Sequence, residues 1–296
     1  MIARYFRIAK GIYPCTTAEE HWRVVVFVVR ALLHSEQMQQ LMQFFEKGGV
    51  LAELQVNQSY AYEQISRHWF FHKSSIDERV KLIQEHYRFA LEQFSENTLR
   101  RTAAGEQIVL WQQEYGEQTL SLELCFHDWH KKEGLLAIEL NVGAIRAYQA
   151  IFWVGRDQAG DRALWIGALQ GSPGGLKLNH DLTKYCFGYR PKNLILYAVR
   201  AFARSFSINT IYAVSNLGYF TNNHVRLDRK LKTSLDDFWN EVGGCLQDDP
   251  RFYALPLQEP RKEIEEVKSQ KRNLYRKRFA LLDAIENSID TALQQL

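Results

Sequence analysis

The spacing of hydrophobic positions changes twice along the chain. Up to residue 100 they recur at helical intervals, from Gln107 to Gln170 they alternate, and beyond Gln170 helical and strand patterns interleave. The first region reads as helical throughout. Few breakers interrupt Glu19 to Phe45 before Gly48-Gly49, and further helices are expected over Glu63–His72 and Asp77–Phe94. In the last of these, Val80, Ile83, Tyr87, Leu91 and Phe94 share one face, and Ser74-Ser75 supplies the start signal.

Strands are expected at Ile108–Glu114 and Thr119–Phe126, joined by the turn Tyr115-Gly116-Glu117-Gln118. In the second, Leu120, Leu122, Leu124 and Phe126 alternate with Thr119, Ser121, Glu123 and Cys125, the pattern of a half-buried strand. Leu135–Val142, Tyr148–Val154 and Ala163–Gln170 extend the sheet. A loop over 171–189 follows, and Arg190-Pro191-Lys192 opens a helix with Ile195, Val199, Phe202 and Phe206 on one side. Thr210–Asn216 is a strand, Leu235–Val242 a short helix stopped by Gly243-Gly244, and Phe252–Leu257 a last strand. From Arg261 the tail reads as one long helix. The class is therefore α+β: a helical region over 1–100, a mixed and mostly antiparallel core over 101–257, and a C-terminal helix over 258–296.

Composition narrows the function classes. Seven Trp, fourteen Tyr and seventeen Phe supply a large core and exclude a disordered chain. A net charge of +3 is too small to imply a polyanion partner by itself. Cys15, Cys125, Cys186 and Cys245 are widely separated, so neither a disulfide framework nor a structural zinc site is expected, and a reducing compartment fits. The most apolar stretch, Trp22 to Leu33, is too short and too interrupted by Arg23 and Arg30 to span a bilayer. The first ten residues lack the features of a signal peptide. A cytoplasmic location is expected, with peripheral attachment to the inner membrane as an addition: the N-terminal segment with Arg4, Arg7 and Lys10 reads either as a docked helix or as a basic amphipathic helix on a membrane surface.

Two resemblances follow. The order of elements resembles the GNAT acyltransferase fold, including the broader group that holds toxin-activating acyltransferases. Several blocks together resemble the VirK/YbjX family, bacterial proteins grouped as a domain of unknown function. They are His86-Tyr87-Arg88-Phe89, Leu169-Gln170-Gly171, Arg190-Pro191-Lys192, Ala213-Val214-Ser215-Asn216 and Phe238-Trp239 with Gly243-Gly244. Leu255-Pro256 and Lys271-Arg272-x-x-Tyr275-Arg276-x-Arg278 complete the set, which covers residues 60–285. The family resemblance implies a link to virulence and antimicrobial-peptide resistance, hence an envelope-related role. The fold resemblance implies an acyl-CoA or acyl carrier protein as donor, its phosphates held by a loop and the helix start that follows.

On that analogy the cofactor-binding candidates are Gln170, Gly171, Gly174 and Gly175, with Arg190 and Lys192 at the next helix start. The acyltransferase pattern runs its glycines straight into the helix, whereas here residues 176–189 intervene; a plain turn is the competing reading. Cations at a helix start oppose its dipole, so a bound anion or a neighbouring carboxylate is expected beside Arg190 and Lys192. His127, in His127-Asp128-Trp129-His130, is the candidate general base, and Glu123 and Glu139 are further base carboxylates unless they simply face solvent. The two histidines could offer metal nitrogens, but no third ligand stands at a diagnostic spacing, so no metal is expected. Ser215 and Asn216 end a strand facing the loop and are placed as substrate-positioning groups, or as ordinary turn formers. His180 and His224 are loop histidines of similar ambiguity.

The segment 268–278 carries six cations and no acid. Lys271, Arg272, Arg276 and Arg278 are its anion-binding candidates, and an anionic membrane suits them better than nucleic acid, because only Tyr275 and Phe279 could stack on bases. The leading expectation is an acyltransferase-like protein acting on an envelope-related acceptor. The alternative is a non-catalytic regulatory or binding protein working through this basic helix on lipid or a partner. A third is an RNA-associated regulator.

Overall fold

Side-chain caps set the starts of two of the long helices. In the computed structural model, which describes residues 1–57, 60–126, 128–223 and 233–296, Thr17 and Ser75 each close a capping box with Glu20 and Glu78. They start α2 (Ala18–Leu33) and α6 (Ile76–Gln93), and α1 (Ile2–Ile12) precedes them. The single helix expected over Glu19–Phe45 is broken at His34, whose ψ of 41° leaves the helical region. The break lets α3 (Ser35–Phe45) turn Met38, Leu41 and Phe45 into the core against α6. α4 (Val50–Asn57), α5 (Tyr60–Ser66) and α7 (Glu96–Ala103) complete the helical region. The helix expected over Glu63–His72 ends at Ser66. Residues 67–74 instead form a strap across the sheet, held by Phe70 N–H donating to the Lys132 carbonyl (2.8 Å) and His72 N–H to the Gly218 carbonyl (2.7 Å).

The eight strands among the described residues are β1 (Ile108–Tyr115), β2 (Gln118–Cys125), β3 (Leu136–Val142), β4 (Ile145–Arg156), β5 (Arg162–Gly171), β6 (Thr210–Val214), β7 (Cys245–Leu246) and β8 (Phe252–Leu255). They form one sheet in the order β1-β2-β3-β4-β5-β6-β8-β7. Every neighbouring pair is antiparallel except β5 and β6, which are parallel. The parallel pair needs a crossover, supplied by α8 (Leu176–Tyr185) and α9 (Pro191–Ser205). α8 occupies most of the expected loop over 171–189: Leu178 and Leu182, four residues apart, turn inward, and Gly188 at φ 77° ends the segment before α9. α10 (Asp236–Glu241) leads into the β7–β8 hairpin. The tail helix, α11, runs Ser269–Leu293 rather than from Arg261, because the chain first makes a short turn that Arg272 ties down through the carbonyls of Glu265 and Val267.

Helices cover both faces of the sheet. α9 and α11 pack on one side, with Phe152 against Phe202 at 5.2 Å. α6 lies along the edge of β4 beyond the end of β3, where buried His86 Nδ1 accepts from Val154 N–H and Phe89 reaches Phe202 and Phe206 of α9. β3 is accordingly buried at every residue.

Two features of the sheet position the site. Pairing of β5 with β6 runs only from Ala163↔Thr210 to Ile166↔Ala213, while β5 continues to Gly171. The strands therefore part at their carboxyl ends. At the parting point the β4–β5 register shifts around Gly167, which lies directly beneath the Glu133 carbonyl: a Cβ there would stand 1.8 Å from that oxygen. Gly167→Ala is expected to destabilise the fold by about 3 kcal/mol in urea unfolding. A loss below about 1 kcal/mol would show that Glu133 is not pressed onto the strand.

Candidate functional site

Strand alternation puts Ser121, Glu123 and Cys125 of β2 on the sheet face opposite Leu120, Leu122 and Leu124. That face is not the solvent face the alternation suggests. The register aligns Glu123 with Glu139 of β3, Glu139 with Gln149 of β4, and Gln149 with Gln170 of β5. Four polar side chains thus form a straight row across four strands, and helices of the first hundred residues and the segment 128–134 cover this face. Glu139 and Gln149 are 3% and 4% exposed, so every polar atom there needs a partner from the protein.

The partners fall into two groups, one around Glu123 and one that runs from Glu139 to Tyr219. Asn141 Nδ2 donates to Glu123 Oε2 (2.9 Å), and Ser121 Oγ donates to Glu123 Oε1 (2.5 Å). Glu139 Oε1 is met by His130 Nε2 (3.2 Å) and Arg146 Nη1 (3.3 Å). Burial raises the Glu139 carboxyl, but His130 and Arg146 outweigh it and hold it below the ordinary value. His130 Nε2 also lies 3.1 Å from Gln149 Oε1, Gln149 Nε2 donates to Gln170 Oε1 (3.2 Å), and Gln170 Nε2 donates to Glu133 Oε1 (3.1 Å) and the Tyr219 hydroxyl (2.8 Å). Tyr219 OH in turn donates to Glu133 Oε1 (2.9 Å).

Glu133 and Tyr219 terminate the row where β5 and β6 part. The strap over 67–74 pins both segments, through Lys132 on one side and Gly218 on the other. Burial pushes the Glu133 carboxyl up to about 7, only partly opposed by its bonds from Tyr219 and Gln170. The Tyr219 hydroxyl is raised above its ordinary value by burial and then by the adjacent carboxylate. The row opens to solvent at its Gln170 end: Gln170 is half-buried, while Gly171 and Gly174 are exposed.

The sequence candidates distribute unevenly around this centre. Glu123 and Gln170 belong to the row. Gly171, Gly174 and Gly175 form its mouth, and Gly175 leads directly into α8, so no long segment separates the glycines from a helix. Gly174 sits at φ 73°, and no side chain caps the α8 start. Arg190 and Lys192 start α9 with protein partners: Arg190 pairs with Glu241, and Lys192 lies 4.0 Å from the Phe238 ring centre. The carboxylate expected beside them is Glu241. Ser215 and Asn216 are turn formers. Ser215 Oγ donates to the Pro250 carbonyl and accepts from Gly218 N–H, while Asn216 bonds Ser234, Leu235 and Asp236. His127 and His224 lie outside the described residues. His180 is exposed on α8. In the basic tail, Arg272 and Arg278 bond backbone carbonyls of their own chain, and Lys271 and Arg276 are exposed.

Sequence reasoning missed Glu133, His130, Gln149 and Tyr219 as members of one site. Only the register unites them, although the Leu169-Gln170-Gly171 block had marked the end of the row. The structure also gathers Cys125, His130 and Glu139, whose donor atoms lie within 4.8 Å of one another. These three could hold a borderline divalent ion, whereas here His130 and Arg146 satisfy Glu139.

Fold and site together define an α+β protein on one open, mostly antiparallel sheet, with a buried, hydrogen-bonded carboxyl–phenol pair where its parallel strands separate. The chain belongs to the family described as "Protein of unknown function (DUF535)", whose model matches residues 16–291. It is similar to the uncharacterized protein YbjX of Escherichia coli (strain K12), with 33% identity over 219 residues covering 72% of this chain and 66% of that one, just under two thirds of its length. Two uncharacterized proteins of Haemophilus influenzae are 25% and 23% identical, over 85% and 96% of this chain and 84% and 94% of their own lengths. No solved structure matches. Among the described residues no helix is long and apolar enough to cross a membrane.

The Glu133 pair makes a stability prediction. A carboxyl raised from 4.5 to about 7 favours the folded state fully below the lower value and loses that contribution as pH rises to the upper one. Glu133→Gln should therefore gain up to about 3 kcal/mol relative to the parent between pH 4.5 and 7.5 in paired urea titrations. Parallel pH profiles for the two proteins would refute the raised carboxyl.

Proposed function

We propose that the protein is an acyltransferase, with Glu133 as general base, Tyr219 as proton relay and the loop 171–175 as the cradle for the donor's phosphates. The observation that carries this reading is the Glu133–Tyr219–Gln170 cluster, held near neutral pH beside a glycine loop that runs into an uncapped helix. The sheet order adds support: an antiparallel meander, one parallel pair bridged by helices, and a last hairpin whose final strand inserts beside β6. This is the arrangement that led the element order to resemble acyl-CoA enzymes. The donor, acyl-CoA or acyl carrier protein, supplies a thioester carbonyl when bound.

The residues divide the work by their surroundings. Glu133, poised at about 7, takes the proton of the attacking amine or hydroxyl. Tyr219 stays neutral at this pH, so as a relay it gives its own proton to the leaving sulfur while taking up the proton that Glu133 has collected, and regains its hydroxyl in the same step. The first N–H groups of α8 and the bare Gly171 and Gly174 allow close approach of a diphosphate. Backbone, rather than the engaged Arg190 and Lys192, would make the phosphate contacts. The envelope as source of the acceptor, its bearing on virulence and antimicrobial-peptide resistance, and a cytoplasmic location facing the inner membrane rest on the VirK/YbjX resemblance.

A second reading keeps a specific support: Lys268, Lys271, Arg276 and Lys277 are exposed on or beside the start of α11, a surface suited to anionic lipid. Calorimetric titration with acetyl-CoA, a long-chain acyl-CoA and acyl carrier protein separates the two. Saturable donor binding is expected. Gly175→Asp, which supplies a helix cap and a repelling carboxylate together, should weaken it about tenfold without lowering the melting temperature. Glu133→Gln should bind donor normally yet slow thiol release on an envelope extract by about a hundredfold or more. Failure of all three donors to bind at ~1 mM would sink the acyltransferase and leave the lipid surface.

A further inference from the structure

A cleft of about 440 Å³ opens on the same sheet face as the polar row, over the first half of β5 and away from Gly171. Its floor is built by strand register. Trp153 of β4, Trp165 of β5 and Tyr212 of β6 are direct cross-strand neighbours. Trp153 and Trp165 lie parallel within 1° at 6.2 Å, and Trp165 and Tyr212 stack at 4.3 Å. Phe71 stacks on Trp153 at 6.2 Å, and Phe252 meets Trp165 edge-on at 5.0 Å, so five rings converge. Trp165 and Tyr212 remain half-buried and reachable.

The charge around the rings runs against that of the chain. The protein carries +3 overall, yet among the described residues lining this cleft five carboxylates face three basic side chains. One of those bases demonstrates what the rings accept. The Arg251 guanidinium lies 4.8 Å from the Phe71 ring centre and 5.7 Å from that of Phe252, and Asp249 holds it from behind with bonds of 2.7 to 3.0 Å. Glu78 and Glu85 stand on the facing helix, α6, with Glu78 3.4 Å from Arg251 and Glu85 3.8 Å from the exposed Lys81. Aromatic faces attract cations through their quadrupole, and an excess of carboxylate in a partly desolvated cleft adds to that attraction. A phosphate-bearing ligand meets the opposite field, and a neutral ligand gains nothing from it.

We propose that this cleft is a binding site for an organic cation: an ammonium or quaternary ammonium group on an apolar stem, seated against Trp165 and Tyr212 and facing Glu78 and Glu85. The site is distinct from the Glu133 centre and does not depend on acyl transfer.

Two tryptophans line the cleft, so binding is readable by intrinsic fluorescence and by calorimetry on the full chain. Choline and spermidine are the probes, with dimethylbutanol as the neutral isostere of choline. Saturable binding of choline or spermidine is expected, at least about tenfold tighter than dimethylbutanol. Glu78→Gln/Glu85→Gln together should weaken it about tenfold and Trp165→Leu at least as much, with Tyr212→Leu as the independent ring variant if Trp165→Leu does not fold. Equal binding of choline and dimethylbutanol would overturn cation recognition. Absence of saturable binding by either cation at ~10 mM would overturn the site.

Discussion

Four polar residues in register across β2 to β5, the middle two fully buried, constrain the rest of this structure. A carboxylate or carboxamide taken from water costs free energy unless it is hydrogen-bonded, and a charge costs more unless it is paired. Arg146 and His130 answer Glu139, Asn141 and Ser121 answer Glu123, and the two glutamines answer each other. The segment 128–134 must turn back over the sheet to bring His130 and Glu133 into place, and Gly134 and Gly167 permit it: any side chain at either would collide with backbone. The strap over 67–74 then closes the centre. The fold is thus organised around satisfying this row, and its apolar layers on the α9 side are the counterweight.

Much of the architecture could be read in the sequence. Capping residues and periodicity located α6, α9 and α10, and the β-rich runs located β1 to β5 to within three residues, β4 being the longest miss, since it starts at Ile145 and not at Tyr148. The short β7 escaped notice because two residues carry no period. α8 escaped because its first turn sits against three glycines and a proline, which read as loop. The break at His34 is a tertiary effect: the helical pattern continues across it, and only packing of α3 on α6 requires the turn.

The site was legible in fragments. Alternation in β2 correctly separates two faces, but it cannot say whether the polar face meets water or a buried network, so Glu123 and Glu139 looked like solvent-facing residues. Gln149 and Gln170 are 21 positions apart and become partners only through the β4–β5 register. Glu133 precedes a strand with no motif around it. Ser215 and Asn216 stood out because turn-forming residues at strand ends resemble substrate-binding ones. Their hydrogen bonds show that they anchor β6 to the segments 234–236 and 250.

The amides in the row have a sense of direction. With Nε2 of His130 donating, each carboxamide accepts on the His130 side and donates on the Glu133 side, so Gln149 and Gln170 point the same way. Neither can turn over alone without setting oxygen against oxygen and nitrogen against nitrogen. Reversing the chain takes both together. Glu133 and the imidazole beside Glu139 are therefore joined across β5, β4 and β3 by amides of one orientation, and that orientation can be set at either end with no movement of the backbone.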